Sequence, residues 1–241
     1  MISFAFPPVK TEPTNAQYQA ITGIRGLSIR DQYRTLLVRK GCCEPLALAA
    51  GDECIEGMDI EVQREAAAAL FNLALSEENS LEMAQSGIVR ALMSLFKVKD
   101  SVAQVFAVGT LSNLVEKTFE VQSRLLQDGF LQPMVKMVTT LNPSKETCWE
   151  VSRCLALLAN EPKSHSWLLH ESVLQCIFVL IQQQNKFAAL ALASLALEST
   201  SHAQLAKVDI LQKFQPLLLL KKKEINQCIA FALHNICKNS S

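Results

Sequence analysis

Glycine and proline are sparse in this sequence, eight of each in 241 residues. Neither a Gly-rich phosphate loop nor a nucleophile elbow occurs, so the local signatures of nucleotide-binding and hydrolytic enzymes are missing. Charge of one sign is also missing: Lys+Arg and Asp+Glu both total 23. That balance argues against a general nucleic-acid binder, which carries a basic excess. No apolar run approaches the roughly 20 residues needed to span a bilayer. The start, Met1 to Pro8, has no basic region ahead of its short apolar stretch and does not read as a signal peptide. These absences predict a soluble protein that is not an enzyme, with no cofactor, no metal and no nucleic-acid partner.

Apolar residues make up 49% of the chain, enough for a sizeable buried core. Cysteines stand at 42, 43, 54, 148, 154, 176, 228 and 237, most of them inside apolar, helix-patterned stretches. A reduced cysteine there acts as a small core residue, which predicts a reducing compartment, the cytoplasm or the nucleus.

Laid against itself, the chain repeats. The block Glu61-Val62-Gln63-Arg64-Glu65-Ala66-Ala67-Ala68-Ala69-Leu70-Phe71-Asn72-Leu73-Ala74 consists of strong helix formers without Gly or Pro. Related blocks end at Leu114, Ala159, Ala196 and Cys237, with a weaker one near Leu27. With Asn72 as marker, the equivalents are Gly26, Asn113, Leu157, Ser194 and Asn235, and successive markers lie 46, 41, 44, 37 and 41 residues apart. Between markers the order recurs: a short helix (Ser80–Gln85, Phe119–Gln127, Ser164–His170), a turn, then a medium helix (Ile88–Val98, Phe130–Leu141, Val173–Gln183) and a long one. Gly41, Gly87 and Gly129 hold the turn, where a positive φ favours glycine. Ser172 and Asp209 stand at that place in the last two repeats.

A wholly helical unit of about forty residues fits armadillo or HEAT arrays. The Glu61–Ala74 block closely resembles the third helix of an armadillo repeat, and Gln85-Ser86-Gly87-Ile88-Val89 resembles the turn into the next second helix. In weaker form the resemblance runs from about Asn15 to Lys238. It implies an all-α, right-handed α-solenoid of armadillo-type three-helix repeats. Residues 15–241 then form one domain of about four complete repeats with partial terminal ones, preceded by an extended segment over residues 1–14. Stacked repeats close one another's cores, so Leu70, Leu73, Leu111, Leu114, Leu155, Leu158, Leu192, Leu195, Leu233 and Ile236 are expected to be buried.

The family implies that third helices line a groove for extended peptide. Importin-α-like members clamp the ligand with the marker Asn and a Trp four residues earlier. Asn stands at 72, 113 and 235, but the Trp positions are Thr22, Ala68, Gly109, Arg153, Leu190 and Phe231. The groove candidates projected from these helices are Arg25, Glu65, Asn72, Asn113, Glu116, Lys117, Glu150, Arg153, Glu198 and Asn235. Phe71, Phe187 and Phe231 either join them or fill the core. The implied function is a non-enzymatic scaffold or adaptor that binds a partner peptide or domain along the groove. The alternatives are the substrate-recognition part of a larger armadillo protein, such as a U-box ubiquitin ligase, and a divergent importin-α-like receptor.

The helical part starts and stops inside third helices without a polar capping helix. This predicts either a portion of a longer array or a short protein whose open ends dock on a partner or on each other. His165 and His170, five apart, suit surface or turn roles better than a zinc pair, which wants i, i+4. Cys228, His234 and Cys237 lack further ligands. Lys221-Lys222-Lys223 is expected to complement a helix C-terminus.

Overall fold

The computed structural model describes residues 15–51, 59–207 and 222–238. The expected extended segment 1–14, Cys54, Asp209 and Lys221 lie outside them. Every regular element among the described residues is helical. The chain divides into two compact units, Met1–Phe130 and Leu131–Ser241.

The first unit holds α1 (Asn15–Ser28), α2 (Asp31–Arg39), α3 (Cys43–Gly51), α4 (Ile60–Ala74), α5 (Ser80–Gln85), α6 (Ile88–Leu95), α7 (Ser101–Val115) and α8 (Phe119–Gln127). The long helix α4 packs on α1 and on α7, while α3 packs on α4 and α6. The second unit holds α9 (Leu131–Leu141), α10 (Lys145–Ala159), α11 (His165–Leu168), α12 (Glu171–Gln182), α13 (Lys186–Leu195), α14 (Ser199–Lys207) and α15 (Lys223–Lys238). Here α13 packs on α10 and α15, and α12 packs on α9 and α13. Third helices are thus α1, α4 and α7 in one unit and α10, α13 and α15 in the other.

Local chemistry starts these helices. Asp59, Asp100, Thr118 and Ser144 each cap a helix with a side-chain oxygen that accepts a first-turn backbone N–H, at α4, α7, α8 and α10. Gly41, Gly87 and Gly129 take φ of +76°, +78° and +82°, the left-handed conformation expected of the turn. Leu70, Leu73, Leu111, Leu114, Leu155, Leu158, Leu192 and Leu195 are fully enclosed, Ile236 is buried, and Leu233 is half-buried.

Three expectations change. The helix from Ile88 stops at Leu95 rather than Val98, because Phe96, Lys97 and Val98 bond back to the third residue before each, tightening the end. Ser172 does not replace a left-handed glycine. It sits inside the first turn of α12, and the chain is redirected by extended His170, whose Nδ1 accepts the Ser172 N–H. Among the described residues of this unit, positive φ falls at Asn142 and Gln184, after α9 and α12. The helix end that Lys221-Lys222-Lys223 is expected to complement lies outside the described residues; Lys222 and Lys223 themselves stand at the start of α15. Finally, His165 is buried, for a reason that recurs along the chain.

Each third helix ends in carbonyls that lack an intrahelical partner. After α1, α4, α7, α10 and α13, a side chain at the start of the following helix bonds one of them. Arg34 Nε donates to Ser28 O (2.9 Å), Asn79 Nδ2 to Leu73 O (2.9 Å) and Gln122 Nε2 to Val115 O (2.9 Å). In the second unit His165 Nε2 lies 2.8 Å from Ala159 O, and His202 Nε2 lies 2.8 Å from Ala196 O. A carbonyl only accepts, so Nε2 carries the proton in both histidines. Four residue types thus do one job, seven to nine residues after the marker.

Candidate functional site

In the first unit the third-helix face is polar and cross-strapped. Arg25 of α1 pairs with both carboxylate oxygens of Glu65 on α4, at 2.6 and 2.8 Å. Asn72 Nδ2 donates to Ser28 Oγ (3.0 Å), which donates in turn to Arg25 O (2.7 Å). Arg64 donates to Asp100 Oδ2 through Nε (3.0 Å) and Nη2, while Asp100 Oδ1 accepts the Ala103 N–H at the start of α7. The Arg64 bond, foremost, holds the Asp100 carboxyl below its ordinary range. Half-buried Phe71 meets Phe106 of α7, ring centroids 5.7 Å apart. Asn113 is only 5% exposed, because α7 is buried round most of its circumference. Glu116 is exposed and Lys117 half-buried, both past the C-terminus of α7.

In the second unit the equivalent face is apolar. Glu150 accepts from Arg153 Nε one turn away (3.0 Å), so these two candidates satisfy each other within α10. Trp149, which the sequence reading passed over, lies edge-on to Phe187 of α13 at 5.4 Å and is 43% exposed. Leu190 and Phe231, at the family's Trp position, are 43% and 46% exposed. Glu198 and Asn235 are half-buried. The structure therefore joins Arg25 with Glu65 and Glu150 with Arg153, and ties Asn72 to Ser28. Phe71, Phe187 and Phe231 reach solvent.

What the reading missed had weak signals. Trp149 is one of two tryptophans and stands eight residues before its marker. Arg64 and Asp100 lie on separate helices and meet only through packing. A cleft of about 450 Å³ between α5 and α8, lined by Leu81, Phe119 and Arg124 among others, lies among the first helices and belongs to no predicted site.

Burial pushes the Cys43 and Cys176 thiols up to about 12, and raises Cys42, Cys148 and Cys228 as well, so these five are thiols at neutral pH rather than nucleophilic thiolates. Among the described residues no cluster of three or more His, Cys, Asp or Glu could hold a metal, and no helix is long and apolar enough to cross a membrane.

No family model matches the sequence. Vacuolar protein 8 of Schizosaccharomyces pombe is 25% identical over 201 residues, 81% of this chain, and the chain spans about 36% of that relative's length. Among solved structures, computationally designed armadillo repeat proteins for modular peptide recognition superpose with a TM-score of 0.77 at 19% identity, covering 92% of this chain and 94% of theirs. A designed armadillo repeat protein in complex with the peptide (KR)4 gives a TM-score of 0.74 at 21% identity and 92% coverage of both chains. The chain has the armadillo-repeat α-solenoid fold.

Proposed function

We propose that the chain is a non-enzymatic protein-binding scaffold that takes an extended segment of a partner along third helices packed side by side within one unit. The observation that carries this is the row at the family's Trp position, where Leu190 and Phe231 face solvent from packed neighbouring helices. Surface apolar side chains ordered in register on rigid helices are what a docking face provides. The designed relative that holds a peptide supports the reading by fold. Free, buried cysteines support a reducing compartment. An importin-α-like role is disfavoured, since none of the six Trp positions carries an indole. Whether the chain serves as one portion of a longer scaffold, as its 36% span of the yeast relative suggests, does not alter the face.

The test is selection of a displayed random-peptide library on the whole chain. Selected peptides should lose binding to Leu190→Glu by about tenfold or more and keep it with Gln127→Glu on α8. No selected peptide, or equal binding to both variants, refutes the reading.

A further inference from the structure

We propose a second docking surface, on the short helices of the first unit, for a partner segment that brings an acidic side chain to one cleft and an adjacent apolar and basic pair to the cleft beside it. It is separate from the third-helix face described above and does not depend on it.

Two clefts adjoin where α5 packs on α6 and α8. The first, about 450 Å³, runs between α5 and α8, with Leu81 and Phe119 in its walls, 40% and 38% exposed. The second, about 370 Å³, lies at the start of α6 over buried Ala84 and Val89. Gln85 and Arg124 line both, so the clefts meet along those two side chains. Each falls in the size class of a site that encloses a small ligand, about 300–1,000 Å³. Apolar side chains that stay open to water beside such a hollow gain when a partner dries them.

The charges decide which partner fits. Four charged side chains line the clefts: Arg90, Arg124, Asp128 and Glu120. Arg124 Nε lies 3.6 Å from Asp128 Oδ2, one turn along α8, so these two offset each other. Arg90 and Glu120 are exposed and make no ion pair among the described residues. They belong to different clefts, Arg90 to the α6 cleft and Glu120 to the α5–α8 cleft. Glu82, the other charge of α5, lines neither. After burial, it is the next cause that raises the Cys43 thiol, which sets it toward α3. The open charges are therefore one cation and one carboxylate, with Leu81 and Phe119 beside the carboxylate. A wholly acidic segment meets repulsion at Glu120, and a wholly basic one meets it at Arg90. A segment with an acidic group at Arg90, and an apolar side chain next to a basic group at Phe119 and Glu120, satisfies both.

The experiment titrates fluorescein-labelled peptides against the whole chain by anisotropy. The panel carries Asp, a Gly-Ser spacer of one to four residues, then Phe and Lys in either order. At least one spacing should bind. In that peptide, Asp→Lys and Lys→Asp should each weaken binding about two- to fivefold, and Phe→Ser about tenfold or more. On the protein, Leu81→Ser should weaken it similarly. The charge preferences should also reverse: Arg90→Glu should favour the peptide with Lys in place of Asp, and Glu120→Lys the peptide with Asp in place of Lys. All three protein sites are exposed, and unchanged thermal melting verifies that the variants fold. Binding by no member of the panel at a Kd below about 1 mM overturns the proposal, as does a charge preference that ignores Arg90→Glu and Glu120→Lys. Leu190→Glu should leave this binding unchanged. If it abolishes it, the peptide sits on the third-helix face, and this inference falls while the scaffold reading stands.

Discussion

Replacing His165 by alanine tests whether the helix-end bond is a structural part rather than a coincidence of packing. His165 is 5% exposed and its Nε2 bonds the Ala159 carbonyl at 2.8 Å, at the end of a helix whose other face packs on α13. Removing the imidazole deprives a buried acceptor of its donor, which costs about 1–3 kcal/mol. The emptied ring volume adds a cavity contribution, so a total of about 2–4 kcal/mol is expected. In a chain of this size each kcal/mol lowers the midpoint by about 2–4 °C, giving a drop of roughly 4–16 °C. Far-UV circular dichroism melts and urea titrations measure it. The sharper arm is His165→Gln: the equivalent position uses Gln122 in another repeat, so glutamine should recover most of the loss, to within about 1 kcal/mol of the parent. If His165→Gln is as unstable as the alanine variant, or if the alanine variant melts with the parent, the recurring cap is not what holds this junction.

Asp100 both caps α7 and receives Arg64. Asp100→Asn should keep the cap and lose about 0.5–1 kcal/mol. Asp100→Ala should lose about 1 kcal/mol more. The folded state depresses this carboxyl's pKa, so its contribution is complete above the ordinary aspartate value of about 3.9 and disappears as pH falls through the lower folded value. Acid titration of stability should accordingly be shallower in Asp100→Asn than in the parent, and parallel curves would refute the linkage. A Cβ at Gly51 would run into Ala91 Cα, with Ala91 O and Ser94 Oγ 2.5 Å away, so Gly51→Ala should destabilise by about 1–3 kcal/mol in urea titration. Gly23, inside α1 with open space around it, should respond oppositely, and Gly23→Ala should stabilise by about 0.5–1 kcal/mol.

The repeat was legible because it is written in local terms. Leu73, Leu114, Leu158 and Leu195 recur with the marker, helix-forming alanines surround them, and a glycine marks a turn that needs positive φ. Each signal depends on a residue and its near neighbours, so a pattern along the chain carries it. The same holds for the short helices Ser80–Gln85 and Phe119–Gln127, whose bounds match. Candidate site residues were legible only as positions on a helix face. Nothing in the spacing of Glu150 and Arg153 said they would neutralise each other, or that Asn113 would be enclosed while Phe231 stayed open.

What tertiary structure alone decided is who meets whom. Arg64 finds Asp100 and Trp149 finds Phe187 across gaps of 36 and 38 residues, because packed helices bring distant segments within a few ångströms. Arg34, Asn79, Gln122, His165 and His202 share a role that no common residue type announces, because a buried carbonyl asks only for a donor at the right place. The chain by itself determined which faces are apolar and how often the unit returns. Packing determined which of the remaining side chains are consumed within the protein and which are left for a partner, since that depends on distances no linear order contains.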